Sequence, residues 1–220
     1  MGETIELKAA DGHTLSAYRA GDAAGRGLVV VQEIFGVNHH IRNVCDRFAA
    51  AGYQAIAPAL FDRAQRGIEL GYTQEGIAHG REWRGKLTDE GVLADIAAAA
   101  EALGGGKRGI VGYCFGGTVA WWGATRTELF AAAVGWYGGA IAATRTAHPH
   151  CPVQLHFGET DASIPLADVE AIRAAQPGVE IYLYPGAGHG FGCDERQSFN
   201  PEAAKLAQSR TLAFFARHLV

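Results

Sequence analysis

The chain has 220 residues and a mass of 23.3 kDa, with 48% hydrophobic and 19% charged residues and a formal net charge of -4 at pH 7. That length fits one domain, or at most two small ones, and can bury enough surface to need no disulfide or metal staple, while the composition excludes a disordered chain. There is no Lys/Arg run of a nucleic-acid binder and no stretch of 18 apolar residues, and the opening Met1-Gly2-Glu3-Thr4-Ile5-Glu6 has neither a signal-peptide nor a myristoylation pattern, so the cytoplasm is the expected compartment.

Residues 4–8 and 13–19 flank Asp11-Gly12 and read as a hairpin. Leu28-Val29-Val30-Val31, within residues 27–32, is the continuous apolar run of a strand buried on both faces. Asn38 can cap a helix that runs to about Ala51 and is ended by Gly52. A strand at 53–57 follows, stopped by Pro58. Residues 59–89 contain Gly67, Gly71, Gly76, Gly80 and Gly85 and read as polar and irregular. Residues 90–103 form an Ala-rich helix, closed by the glycines at 104–106.

Further strands are predicted at 108–112, 131–136, 152–157 and 179–184, with helices at 115–125 and 166–175. Asn200 caps a last long helix with Pro201 at its first position, and Leu206, Leu212, Phe214, Phe215 and Leu219 are expected to face the core. Strands alternating with helices predict an α/β fold over residues 1–220, a single domain whose mostly parallel central sheet carries helices on both faces in three layers. In such sheets reactive groups collect beyond the C-terminal ends of the strands.

Three of those ends carry chemistry. Gly112-Tyr113-Cys114-Phe115-Gly116-Gly117 is a G-x-C-x-G nucleophile elbow with Cys in the Ser position. Gly112 and Gly116 are expected to clear space for a sharp strand-to-helix turn, and the helix starting at Phe115 aims its N-terminal N–H groups at the sulfur, favouring a thiolate. Gly158-Glu159-Thr160-Asp161 follows one later strand, and Gly186-Ala187-Gly188-His189-Gly190-Phe191 follows the next. Taken singly, each residue has an ordinary reading as a packed small hydrophobe, a turn residue or a loop residue. The chain order of nucleophile, acid and His, each at its own strand end, singles them out together.

These residues resemble the dienelactone hydrolase (carboxymethylenebutenolidase) family, a cysteine-based branch of the α/β-hydrolases. The resemblance runs from the Asp11-Gly12 turn to the last helix, and its sharpest element is Gln32-Glu33-Ile34-Phe35-Gly36-Val37-Asn38. It implies Cys114 as nucleophile, His189 as its base and Asp161 as the group orienting His189. It also implies that Glu33 lies beside the sulfur and holds the resting thiol protonated until substrate displaces it, because one anion disfavours a second nearby. Backbone N–H groups of Phe115 and Ile34 would form the oxyanion hole, and a thioester formed on Cys114 and then hydrolysed by water would open a lactone or ester.

The resemblance breaks at the substrate end. The family binds its substrate carboxylate with two arginines, one of them four residues after the His, where this chain has Cys193. Arg196 lies nearby but off register, and Arg81 and Arg84, flanking Trp83, are candidates for the other contact, with Phe35 a further candidate for substrate binding. Trp121, Trp122 and Trp136 are expected in the core. Cys45, Cys114, Cys151 and Cys193 lack zinc spacing, as do His39-His40 and His148-Pro149-His150-Cys151, so neither metal nor cofactor is expected. The expected partner is a small-molecule lactone or ester, with no nucleic acid and no membrane, and the family resemblance suggests a monomer. Three alternatives stand beside this reading. They are an esterase for uncharged esters, a non-catalytic protein on the same scaffold, and a redox-sensing thiol with Cys193 as the resolving partner of Cys114.

Overall fold

The structure is a computed structural model that describes residues 2–104 and 106–220; Met1, and Gly105 of the expected 104–106 cap, lie outside the described residues. β1 (Glu3–Lys8) and β2 (Thr14–Ala20) form the predicted antiparallel hairpin, in register from Glu3↔Arg19 to Lys8↔Thr14. Asp11 Oδ1 accepts from the His13 N–H at 3.0 Å, the side-chain turn that an Asp-Gly pair offers. β2 pairs antiparallel with β4 (Tyr53–Pro58), which pairs parallel with β3 (Arg26–Val31).

The remaining strands are β5 (Arg108–Tyr113), β6 (Ala132–Trp136), β7 (Val153–Gly158) and β8 (Glu180–Tyr184), with β6–β7 and β7–β8 parallel. The eight-stranded sheet has the order β1-β2-β4-β3-β5-β6-β7-β8. The chain divides into two compact units, one ending at Ile110 and one spanning Val111–Val220.

In the first unit, α1 (His39–Ala50) and α3 (Asp89–Glu101) pack on β3 and β4. Leu28, Val29, Val30 and Val31 are fully buried, as a strand covered on both faces requires. Asn38 caps α1 as expected, its Oδ1 accepting from the Ile41 N–H at 3.3 Å. Cys45 sits in this core, where burial pushes its thiol far above the usual range and leaves it inert. In the second unit, α4 (Phe115–Arg126) packs on β6, α6 (Pro201–His218) packs on β6 and β7, and α5 (Leu166–Ala175) completes the helices. Trp121, Trp122 and Trp136 are buried as predicted. Asn200 caps α6 through the Ala203 N–H at 3.1 Å, with Pro201 in its first turn.

Two expectations are corrected. The stretch 59–89 is not irregular throughout, since it contains α2 (Gln74–Gly85), capped by Thr73 Oγ1 accepting from the Gly76 N–H at 3.0 Å. Its glycines mislead because they form a packing face. A Cβ on Gly76 would collide with the Gly71 carbonyl oxygen, and one on Gly80, a turn further along, with the Ile34 carbonyl oxygen. The second correction is Leu206, which is 47% exposed, while Leu212 is half-buried. The buried stripe of α6 is Ala203, Ala207, Thr211, Phe214 and Phe215, a helical repeat from which Leu206 is displaced. Among the described residues no helix is long and apolar enough to cross a membrane.

Gly80→Ala is expected to destabilise the first unit by about 1–3 kcal/mol, because the carbonyl it meets belongs to backbone that cannot rotate away. Thermal unfolding followed by circular dichroism checks this. A melting temperature unchanged within about 1 °C would show that α2 is not seated through Gly80.

Candidate active site

The turn from β5 into α4 is set by close backbone packing. A Cβ on Gly112 would collide with the Gly116 carbonyl oxygen, so only glycine lets the chain fold back this tightly. A Cβ on Gly117 would likewise meet the Trp136 carbonyl oxygen, so Gly117 clears space beside Gly112. Between them Cys114 takes φ 54° and ψ -113°, a conformation that L-residues avoid. It is anchored on both sides, because its N–H donates to the Trp136 carbonyl at 3.0 Å and its carbonyl accepts from the Gly117 N–H at 3.0 Å. Cys114 is therefore the N-cap residue of α4, with its side chain at the positive end of the helix.

The loops after β7 and β8 interlock. Thr160 N–H donates to the Ala187 carbonyl at 2.9 Å and Glu159 N–H to the Tyr184 carbonyl at 3.0 Å. Asp161 is buried, and its Oδ1 accepts from the Ser163 N–H at 2.8 Å, which fixes the carboxylate plane. Its Oδ2 lies 2.7 Å from His189 Nδ1, and His189 Nε2 lies 3.1 Å from Cys114 Sγ. Sulfur, imidazole and carboxylate thus form one connected row. With Nδ1–H donating to Asp161, Nε2 is the nitrogen left to exchange a proton with the sulfur.

Burial alone would lower the pKa of His189. The hydrogen bond to Asp161, followed by the contact with Cys114, outweighs burial and raises it to about 10. Asp161 and the sulfur together therefore favour the imidazolium once a proton reaches His189. Beneath the loop, Phe191 stacks on Trp136 at 5.5 Å between centroids and meets Tyr184 at 5.0 Å. His156, fully buried among them, is bonded to the Tyr184 hydroxyl at 2.8 Å and to Gln154 Oε1 at 2.9 Å. Burial, reinforced by the charge of Arg210, drives its pKa down to about 3, so it stays neutral and structural.

In the first unit, each polar residue of the Gln32–Asn38 motif has a structural bond. Gln32 Oε1 accepts from the Leu60 N–H at 3.1 Å and its Nε2 donates to the Glu33 carbonyl at 3.3 Å, which pins the backbone at Glu33. Asn38 Nδ2 donates to the Leu70 carbonyl at 3.3 Å and to the Tyr72 hydroxyl at 3.1 Å. Phe35 is buried against Tyr72 at 4.5 Å, and its carbonyl accepts from the Leu70 N–H at 2.9 Å. Glu33 is only 1% exposed, and Ile34 is half-buried with its carbonyl against α2.

α2 carries the candidate substrate residues. Arg81 is exposed, and half-buried Trp83 has Lys86 Nζ 3.8 Å from its ring centroid. Arg84 donates to the Leu87 carbonyl at 3.3 Å and to Asp89 Oδ1 at 3.2 Å, so its guanidinium already holds the α2–α3 connection. The structure thus joins Cys114, Asp161 and His189 directly in the second unit, and brings Ile34 to α2 in the first. Cys193 is fully buried, and the Arg196 guanidinium lies against the backbone of Gly190, where it would collide with any side chain. Sequence reasoning passed over Tyr137, the residue after β6, whose ring centroid is 5.2 Å from that of His189. The Gly138-Gly139 pair that follows it, resembling the glycines at the other strand ends, was the available signal.

The profile of the Dienelactone hydrolase family matches residues 15–219. The chain belongs to the dienelactone hydrolase family. It is 41% identical over 212 residues to a Synechocystis protein named "Putative carboxymethylenebutenolidase", covering 87% of this chain and 86% of that one. An Escherichia coli K12 protein of the same name is 34% identical over 233 residues, covering 94% and 84% of the two chains. The solved structure titled "Crystal Structure of Putative Dienelactone Hydrolase from Klebsiella pneumoniae subsp. pneumoniae MGH 78578" superposes with a TM-score of 0.81 at 36% identity, over 98% of this chain and 99% of the other. A Pyrococcus furiosus esterase shares the fold at a TM-score of 0.73 and 16% identity, covering 100% of this chain and 93% of that one. The fold is that of the α/β-hydrolases, and this dienelactone hydrolase family member is a hydrolase.

The raised His189 pKa has a consequence for stability. The folded state holds this proton from its unfolded value of 6.5 up to about 10. Its contribution is therefore complete below pH 6.5 and is lost as pH rises through about 10. The stability gap between the wild type and His189→Gln, measured by urea unfolding, is expected to shrink over that interval. A gap that stays constant from about pH 6 to about pH 10 would contradict a proton held by the pair.

Proposed function

We propose that the protein opens lactones or small carboxylic esters through a thioester on Cys114. The observation that carries this reading is the row Sγ–Nε2 at 3.1 Å and Nδ1–Oδ2 at 2.7 Å. The Cys114 thiol gives its proton to His189 Nε2, so the S–H bond breaks as the N–H bond forms. The thiolate adds to the substrate carbonyl carbon, and the carbonyl electron pair moves onto oxygen. Backbone N–H groups of Phe115, in the first turn of α4, and of Ile34 stabilise that oxyanion. When the oxyanion collapses the ring or ester C–O bond breaks, and the imidazolium returns its proton to the leaving oxygen. A water molecule then gives a proton to His189 and its hydroxyl to the thioester carbon, releasing the acid and restoring the thiol–imidazole pair. Asp161 keeps Nδ1 protonated and supports the imidazolium at each step.

Glu33 belongs to the same proposal as a buried carboxylate that opposes thiolate formation in the resting enzyme. Its burial and the Gln32 bond to its carbonyl support a fixed role. A preference for uncharged esters is the second reading. It is favoured by Cys193 in the arginine position and by the engagement of Arg84 with Asp89.

Cys114→Ala is expected to lower kcat by about 10,000-fold or more with the fold intact. Hydrolysis of dienelactone and of an uncharged aryl ester, measured side by side against this variant, tests both the nucleophile and the substrate class. Retained activity would exclude Cys114 as nucleophile. Dienelactone preferred strongly over the neutral ester would exclude the second reading. Glu33→Gln removes an anion, so faster iodoacetamide alkylation at acidic pH is expected. An unchanged alkylation profile would remove Glu33 from the mechanism.

A further inference from the structure

Among the described residues only two other than glycine have positive φ, Cys114 at 54° and Tyr137 at 39°. Backbone strain of this kind costs about 1–3 kcal/mol and persists where surrounding structure enforces it, most often at functional sites. The strain at Cys114 belongs to the nucleophile turn. Tyr137 has no part in that turn, yet its backbone is tied to it. Cys114 N–H donates to the carbonyl of Trp136, the residue before Tyr137, and Tyr137 N–H donates to the His156 carbonyl at 2.8 Å. Gly138, immediately after, admits no side chain, because a Cβ there would lie 2.8 Å from Gly117 carbon and Thr118 nitrogen. The chain is thus forced through a left-handed residue where a bulky aromatic is the unfavourable choice.

That conformation directs the ring into the site. Tyr137 is fully buried, and its ring centroid lies 5.2 Å from the centroid of His189, with the planes at 62°. The same ring meets Phe191 at 5.4 Å, Tyr113 at 6.3 Å and Trp136 at 6.3 Å, so its position is fixed from three sides. Aromatic faces attract cations within about 6 Å of the ring centroid, and the attraction grows where water is excluded. Within the second unit, the groups facing the imidazole are Asp161 at Nδ1, Cys114 at Nε2 and the Tyr137 ring, with the Arg196 guanidinium against the neighbouring Gly190.

We propose that Tyr137 is a positioning residue whose ring, set against the imidazole at 62°, holds His189 Nε2 aimed at Cys114, and that the strained backbone at Tyr137 exists to place that ring. The proposal rests on the reading of Cys114 and His189 as the reacting pair. It adds that transfer of the proton from sulfur to Nε2 depends on an aromatic ring that fixes the imidazole in line with the sulfur.

The test uses the full-length protein and two substitutions. Tyr137→Phe keeps the ring and removes the hydroxyl. Tyr137→Gly removes the ring and relaxes the backbone, since glycine adopts positive φ without strain. The readout is the rate of iodoacetamide alkylation of Cys114 against pH, with the modified peptide identified by mass spectrometry so that Cys45, Cys151 and Cys193 do not contribute. Tyr137→Phe is expected to keep the wild-type profile. Tyr137→Gly is expected to alkylate about 3- to 10-fold more slowly below neutrality, because less thiolate–imidazolium is present.

The direction of the change separates this role from mere packing. A ring that only excludes water disfavours the imidazolium, so its removal would make the pair more persistent and alkylation below neutrality faster. Alkylation in Tyr137→Gly that is equal to or faster than wild type would overturn the proposal. If Tyr137→Gly fails to fold, titration of the His189 ring resonances in Tyr137→Leu decides the point, with a lowered pKa expected and an unchanged or raised one overturning it. A wild-type alkylation profile that is unchanged in His189→Gln would mean that the Cys114–His189 pairing fails. That result would overturn both readings, and it is distinguishable because it appears before any substitution at Tyr137.

Discussion

The strained turn at Cys114 is the constraint on which the second unit is organised. A cysteine at φ 54° is held there by two bonds of its own backbone and by two glycines that allow neighbouring backbone to approach within contact distance. One of those bonds ends on Trp136, at the end of β6, so the nucleophile position is registered to a strand as well as to a helix. Trp136 in turn stacks on Phe191, two residues after His189. The sulfur and the imidazole are therefore located by the same aromatic residue, one through its carbonyl and the other beneath its ring. Geometry of this kind is set by packing and does not depend on a flexible side chain finding its partner.

The electrostatics follow from that rigidity. A carboxylate buried without a partner would be costly, yet Asp161 accepts both a backbone N–H and the imidazole. His156 and His189 show how environment divides one residue type into two states. Both are well buried in the same unit, but His156 has only neutral partners within bonding distance and stays unprotonated, whereas His189 lies between a carboxylate and a sulfur and holds its proton. Burial acts in the same direction on both. The partners decide the outcome.

Much of this was legible in the residues. The apolar run 28–31, the caps Asn38 and Asn200, and the order Cys114, Asp161, His189 at the ends of β5, β7 and β8 each have a local physical signature that needs no knowledge of distant contacts. What escaped depended on partners remote in sequence. Gly76 and Gly80 carry no mark that separates a turn glycine from one on which a helix seats against another segment, and α2 has few apolar residues to betray its period. Leu206 is apolar but falls off the stripe that Thr211 helps to define, and a buried threonine is intelligible only once Trp136 Nε1 is seen to donate to its hydroxyl at 3.2 Å. Tyr137 is a further case, because nothing in a tyrosine codon announces a left-handed backbone.

The closed environment of Cys193 bears on how substrate charge can change within the family. This position stands where relatives in the resemblance carry an arginine, and here the side chain is fully buried while its N–H is bonded to the Gly190 carbonyl at 3.0 Å. A guanidinium introduced there would lose its hydration and would press upon the loop that carries His189. A larger or charged side chain at position 193 therefore requires the loop that carries His189 to open first.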